Sequence, residues 1–254
     1  LRRMEYRGYD SAGVAVVGEN GIASAKRAGK LANLEDKISE IGEDTLTGTT
    51  VIGHTRWATH GRPTDENAHP HISFDGKVAI VHNGIIENFA ALRAELERDG
   101  VELTSDTDSE TAAHLLAKAY NEGETAGDFR ASALHVLSRL EGAFTLLFVH
   151  ADHPDQIIAA RRSTPLMVGV GEGEMFLGSD VAAFIEHTKQ AVELGHDSVV
   201  IITKDDYEIL NFDGTPAEGK PFTIDWDLEA AEKGGYDSFM MKEIFEQPAA
   251  VRDT

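Results

Sequence analysis

The stretch HTRWATHGRPTDENAHPH, residues 54–71, leads after a short linker into KVAIVHNGIIEN, residues 77–88, and the rest of the chain reads outward from it. It carries five of the chain's 11 histidines (His54, His60, His69, His71 and His82), with Arg56, Arg62 and Trp57, one of two tryptophans. A turn between two strand-like apolar runs does not need so many hydrogen-bonding side chains. Loops held on a rigid scaffold are where binding groups concentrate. This stretch is the candidate active region.

On its N-terminal side, Leu1 to Met4 read as the end of an amphipathic helix that stops near Gly8. A polar turn follows, Tyr6-Arg7-Gly8-Tyr9-Asp10-Ser11, then a short strand from Gly13 to Val17. A helix is expected from Ala32 to Ile41 and a strand from Thr50 to His54. Lys77 to His82 reads as a further strand, ended by Asn83-Gly84, a strong turn dipeptide. Three periodic helices come next. Phe89, Leu92 and Leu96 mark the first, with Asn88 as its N-cap. Ala112, Leu115, Leu116 and Ala119 mark the second, behind a capping box at Thr107-Asp108-Ser109-Glu110. Phe129, Ala133, Val136, Leu137 and Leu140 mark the third.

From Ala143 the pattern changes to short strands at 144–149, 156–160, 166–170, 175–177, 198–203 and 207–212. Most are too closely linked for parallel crossovers, which need a dozen or more residues. Antiparallel pairing and an α+β layered architecture are expected. Residues 239–254 carry a helix-like pattern with no stop signal, as a linker into a further domain would.

Composition narrows the function classes. The 254 residues carry a formal net charge of −21, which argues against nucleic-acid and anionic-lipid surfaces. No apolar run approaches the ~20 residues of a membrane span. The chain contains no cysteine, so it has no disulfide, no thiolate-bound zinc and no thiol nucleophile of its own.

Four chemistries are open, each beside a plainer alternative. His54, His60, His69, His71 and His82, with Asp65 or Asp75, could ligate a metal, but no recognised ligand spacing is present. Arg56, Thr59 and His60 are donors suited to a small acid's carboxylate, or Arg56 makes a surface ion pair. Asn83 and Gly84 form either a hairpin turn or an oxyanion hole, where losing one donor costs on the order of 10²–10³ in rate. Asp108 either favours a helix dipole, worth roughly 0.3–1 kcal/mol, or meets a ligand ammonium. Together they suit an α-amino acid undergoing acyl chemistry at its side chain. The attacking group is not among them.

Several segments carry a resemblance: Glu5-Tyr6-Arg7-Gly8-Tyr9-Asp10-Ser11-Ala12-Gly13, residues 54–61, Asn67-Ala68-His69-Pro70-His71, residues 82–88, residues 105–110, and Lys242-Glu243-Ile244 with Glu246-Gln247-Pro248. In these the chain resembles the N-terminal glutaminase domain of glucosamine-6-phosphate synthases (glutamine–fructose-6-phosphate aminotransferases, isomerising), which are class II, Ntn-type amidotransferases. The resemblance implies a four-layer αββα sandwich of two antiparallel sheets, with residues 1–238 as the glutaminase domain. It also implies that this chain lacks the family's N-terminal helix and strand.

In such enzymes an N-terminal cysteine attacks the glutamine side-chain amide, its α-amino group acting as base. A γ-glutamyl thioester forms, ammonia leaves, and water releases glutamate. By position, Asn83 and Gly84 would form the oxyanion hole, and Arg7 would orient the nucleophile. Arg56, Thr59 and His60 would hold the α-carboxylate and Asp108 the α-ammonium. Trp57 would sit in a loop that closes over glutamine, and His69 near the site. No cofactor and no metal are implied. The implied partners are L-glutamine, a sugar-isomerase domain of the same polypeptide that binds fructose 6-phosphate, and a second copy in a homodimer, in the cytoplasm, with no nucleic acid and no membrane. The glutaminase domain of amidophosphoribosyltransferase shares this pattern, though Trp57 and the Lys242 to Pro248 segment favour the aminosugar enzymes. A catalytically dead glutamine-binding module is the rival from another class. The 254 residues themselves are expected not to hydrolyse glutamine.

Overall fold

The computed structural model describes residues 1–58 and 61–225, with 240, 241, 244, 245 and 247. The clamp candidates Thr59 and His60 lie outside the described residues, as does most of the 239–254 linker. Thirteen strands occur among the described residues: β1 (Ser11–Gly18), β2 (Gly21–Ala28), β3 (Thr50–Arg56), β4 (His71–Ile72), β5 (Val78–Ile86), β6 (Gly142–His150), β7 (His153–Arg162), β8 (Met167–Val170), β9 (Met175–Gly178), β10 (Gln190–Glu193), β11 (Ser198–Ile202), β12 (Tyr207–Asn211) and β13 (Lys220–Thr223). The α-helices are α1 (Leu31–Ile41), α2 (Phe89–Arg98), α3 (Ser109–Asn121) and α4 (Phe129–Arg139). A 3₁₀ helix, Arg2–Arg7, stops at Gly8 as expected.

A six-stranded sheet in the order β12-β11-β7-β6-β5-β4 forms the centre. Its strands are apolar on both faces because both are covered. Val78, Ile80, Phe144, Leu146, Phe148, Ile158 and Val199 pack on α2, α3 and α4. The alternating set on the other face meets two smaller sheets. Ala79, Val81 and Val149 pack on Ala15, Val17 and Ile52 of the β2-β1-β3 sheet. Ala159, Val200 and Ile202 pack on Val168 and Val192 of the β13-β10-β8-β9 sheet. The outer faces of these small sheets are closed by α1, through Leu31 and Leu34, and by the 3₁₀ turn Val181–Ala183 with Phe184 and Ile185. The order of layers is therefore helix, sheet, sheet, helix, and every strand pairing within a sheet is antiparallel.

The layered αββα architecture is as expected, and among the described residues its second sheet layer consists of two hydrogen-bonded sheets. Edge strands β3 and β9 do not pair with each other among the described residues. They line opposite parts of one cavity of about 870 Å³, floored by Val81, Asn83, Thr145 and Leu147 of the central sheet.

Two local expectations fail, and a third, Asn88 as N-cap of α2, holds for the position but not for the side chain. Asn83-Gly84 is not a turn, because β5 runs through it to Ile86 with Asn83 opposite Thr145 and Gly84 opposite Phe144. Glu110 does not close a capping box on Thr107. Its carboxylate reaches further back, to the backbone N–H groups of Thr104 and Ser105. Asn88 stands at the α2 N-cap position, yet its side chain caps nothing. It instead joins the Arg139 carbonyl and the Glu141 N–H.

Candidate active site

Six of the sequence-chosen residues, Arg7, Arg56, Trp57, Asn83, Gly84 and Asp108, line a single cavity of about 310 Å³. They come from four places in the chain. Arg7 ends the first 3₁₀ helix, Arg56 and Trp57 lie at the end of β3, Asn83 and Gly84 lie within β5, and Asp108 precedes α3. His54, His69 and His82 line it too.

Gly84 is fixed by sterics. Its φ is +120°, and a Cβ there would stand 2.1 Å from the Ala143 carbonyl oxygen. Only glycine carries the backbone through this point. Its neighbour Asn83 receives a contact from the other sheet, His54 Nε2 to Asn83 Oδ1 at 2.7 Å.

Asp108 is buried at the start of α3, yet its side chain makes no cap bond to that helix. Oδ2 accepts from the Ile86 N–H at 2.7 Å, which ties the end of β5 to α3. Oδ1 lies 3.3 Å from Ser109 Oγ and 3.9 Å from His82 Nδ1. It anchors a strand and lines the cavity as well.

Arg56 is buried rather than paired at the surface. Its guanidinium donates to the Arg62 and Gly61 carbonyls and stands 3.7 Å from Asp10 Oδ1. Burial lowers its pKa, while the Asp10 and Asp108 carboxylates act against that. Arg7 donates to the Ser179 carbonyl at 3.4 Å and lies 3.6 Å from Asp180. Trp57 is 60% exposed and meets Tyr9 edge-on with ring centroids 5.3 Å apart.

The described histidines do not gather as metal ligands. His69 sits between His54 and His71, with ring centroids 4.4 and 4.7 Å away, and His82 is at 6.5 Å. His71 Nε2 meets Thr107 Oγ1, and His82 Nδ1 meets Ser109 Oγ. Asp65 is held by Arg27 and the Ala28 N–H, Asp75 by Ser73 and Asn121. Among the described residues no group of three or more ligand-type side chains converges on one point. Desolvation keeps the rings neutral, lowering His54 to about 4 and His71 to about 3.

Sequence reasoning passed over three residues. Asp10 was read into a polar turn, but it backs Arg56 and accepts the Ala58 N–H. Asn67 ties the loop to the segment before α3, donating to Asp106 Oδ2 and accepting the Asp106 N–H. Lys26 donates to the Glu66 and Ala68 carbonyls from strand β2. The first two fall inside the resembling segments, which was a usable signal. Lys26 carried none.

A model of the glutamine amidotransferase domain matches residues 15–211. The chain belongs to that family. A glutamine–fructose-6-phosphate aminotransferase (isomerizing) of Mycolicibacterium paratuberculosis is 64% identical over 259 residues, covering 100% of this chain and 42% of that protein. One from Streptomyces coelicolor is 60% identical, again across 100% of this chain and 40% of the relative. This amidotransferase chain thus spans about two fifths of the length of the relatives it matches. The resemblance to the aminosugar glutaminase domain is borne out. Among solved structures, a glutamine phosphoribosylpyrophosphate amidotransferase from B. subtilis superposes with a TM-score of 0.68 at 24% identity, over 83% of this chain and 45% of that one. That likeness supports the layered fold alone, and amidophosphoribosyltransferase is the more distant neighbour.

Proposed function

We propose that this domain binds L-glutamine in the 310 Å³ cavity and hydrolyses its side-chain amide, releasing ammonia. The observation that carries the proposal is the convergence of opposite demands in one small space. Asn83 and Gly84 are hydrogen-bond donors on one strand, a buried carboxylate at Asp108 suits an ammonium, and a buried guanidinium at Arg56 suits a carboxylate. An α-amino acid with a reacting side-chain carbonyl has all three complements. Thr59 and His60 extend the carboxylate side of this reading.

With no cysteine in the 254 residues, the attacking thiol comes from outside them. Its sulfur adds to the amide carbon, and the resulting oxyanion is held by the Asn83 amide and the Gly84 N–H. Ammonia departs as the thioester forms, and water then cleaves that thioester to glutamate. Arg7 orients the nucleophile, and Trp57 covers the bound substrate. The cavity between β3 and β9 supports this reading, since two open strand edges favour an added extended segment. One end of such a segment would lie near His54 and Asn83.

The larger protein then delivers the ammonia to fructose 6-phosphate held by a sugar-isomerase domain, as a cytoplasmic homodimer. No described helix is long and apolar enough to cross a membrane.

The test uses the complete gene product and measures glutamate release from glutamine. It should turn over, and Asn83→Ala should lower kcat on the order of 10²–10³-fold, the usual cost of one oxyanion donor. The 254-residue chain alone should release none. Hydrolysis by that chain, or an Asn83→Ala variant with full kcat, overturns the proposal.

A further inference from the structure

An asparagine side chain has one acceptor end and one donor end, so a partner that takes one end leaves the other for the cavity. His54 takes one end of Asn83 across the interface between two sheets, from β3 to β5, at 2.7 Å. We infer that His54, as its Nε2–H tautomer, is a positioning residue that turns the Asn83 amide so that Nδ2 faces the cavity. The inference rests on the proposed acyl chemistry for its consequence, though not for its geometry.

The ring has little freedom to do otherwise. It is buried, tilted against His69 with ring centroids 4.4 Å apart, and near the Arg56 cation on its own strand and His82 on the facing one. A neutral imidazole carries a single N–H. With that proton on Nε2, the ring donates to Asn83 Oδ1 and the amide NH₂ is left to receive an oxyanion. With the proton on Nδ1, Nε2 becomes an acceptor. The amide then turns over to satisfy it, and Oδ1 points at the cavity, where it repels a developing negative charge.

Two observations favour the first arrangement. His54 Nδ1 is buried with no hydrogen-bond partner among the described residues. A buried N–H without a partner is rarer in proteins than an acceptor without one. Desolvation, the largest influence on the ring, also prevents the second proton that would let both nitrogens donate.

Long-range ¹H–¹⁵N spectra of the ¹⁵N-labelled 254-residue chain read this proton directly. The expected pattern for His54 at pH 7 is a protonated Nε2 and a bare Nδ1. A dominant Nδ1–H pattern, or equal exchange between the two, overturns the inference without reference to activity. In the complete gene product, His54→Leu should lower kcat for glutamine roughly 10–100-fold with KM changed by less than about threefold. His54→Gln, whose amide NH₂ reaches the same point as Nε2, should recover most of kcat. Equal losses in the two variants, or a loss carried by KM, also overturn it. Absence of glutaminase activity in the unmutated gene product would remove the proposed function, while the spectra would still decide the tautomer.

Discussion

Asp108 shows how a residue chosen for one reason carries a second duty. Its Oδ2 accepts the Ile86 N–H, so substitution by alanine would disturb β5 as well as any ligand. Asn keeps an acceptor oxygen for that N–H and removes only the charge. In the complete gene product, Asp108→Asn should therefore raise the glutamine KM strongly, by roughly tenfold or more, because a bound ammonium loses a charged partner worth about 1.5–3 kcal/mol. An unchanged KM measured by glutamate release would leave Asp108 as an anchor only. Ser163 offers a contrast with no chemistry in it. It is a non-glycine residue at φ 67°, where an L side chain costs roughly 1–2 kcal/mol. Ser163→Gly should raise stability by about 0.5 kcal/mol after the extra unfolded-state entropy of glycine is subtracted, read as a higher urea midpoint. At this scale residue type was a good guide to Arg56, Asn83 and Asp108. It was a poor guide to Asn83-Gly84 as a turn, because the dipeptide rule cannot see Ala143 pressing against Gly84 from the next strand.

In the segment before α3 one carboxylate gathers four donors. Glu110 accepts from the Thr104 N–H and hydroxyl and from the Ser105 N–H and hydroxyl, with His114 Nε2 3.3 Å away. These bonds hold its pKa well below the usual carboxylate range although burial works the other way. Glu110→Gln would set an NH₂ against donors it cannot accept from. A loss of roughly 2–3 kcal/mol is expected, measurable by chemical denaturation at pH 7. The gap between the two proteins should hold from pH 7 to pH 5 and begin to narrow as pH falls through about 4.5, since a depressed carboxylate stabilises above its unfolded pKa and loses that contribution as pH falls. A gap unchanged by pH would mean that packing rather than charge is responsible. Helices and central strands were legible because their periodicity is strong. Strand β2, GIASAKRA, was not, since it is an edge strand with little apolar alternation. Strand β13, with Pro221 and every residue exposed, was hidden for the same physical reason.

The layered fold followed from the resemblance and from the change of pattern at residue 143, while the division of the second sheet layer did not. That division depends on which edges meet in space, and periodicity along the chain is silent on it. The whole molecule also carries a property that no single element shows. His54, His71 and His150 are buried and neutral, lowered from 6.5 to about 4, 3 and 4, and His69 and His82 are lowered as well. In the unfolded chain the same rings bind protons near pH 6.5. Between pH 6.5 and about 4 the unfolded state therefore holds more protons, and stability must fall as pH falls. Each ring approaches about 1.4 kcal/mol per pH unit, so three give roughly 3–4 kcal/mol between pH 6 and pH 5. Repulsion among 44 acidic side chains against 23 basic ones pulls the other way, since acid relieves it. Carboxylates mostly titrate nearer pH 4, so that relief comes later and the histidines win in this window. Against a typical total of 5–15 kcal/mol, that is a substantial fraction of the stability. Urea midpoints at pH 7, 6 and 5 should fall in that order. Midpoints that stay level or rise toward pH 5 would mean that the buried rings take up protons in the folded state, and with them that His54 no longer has a single proton to give Asn83.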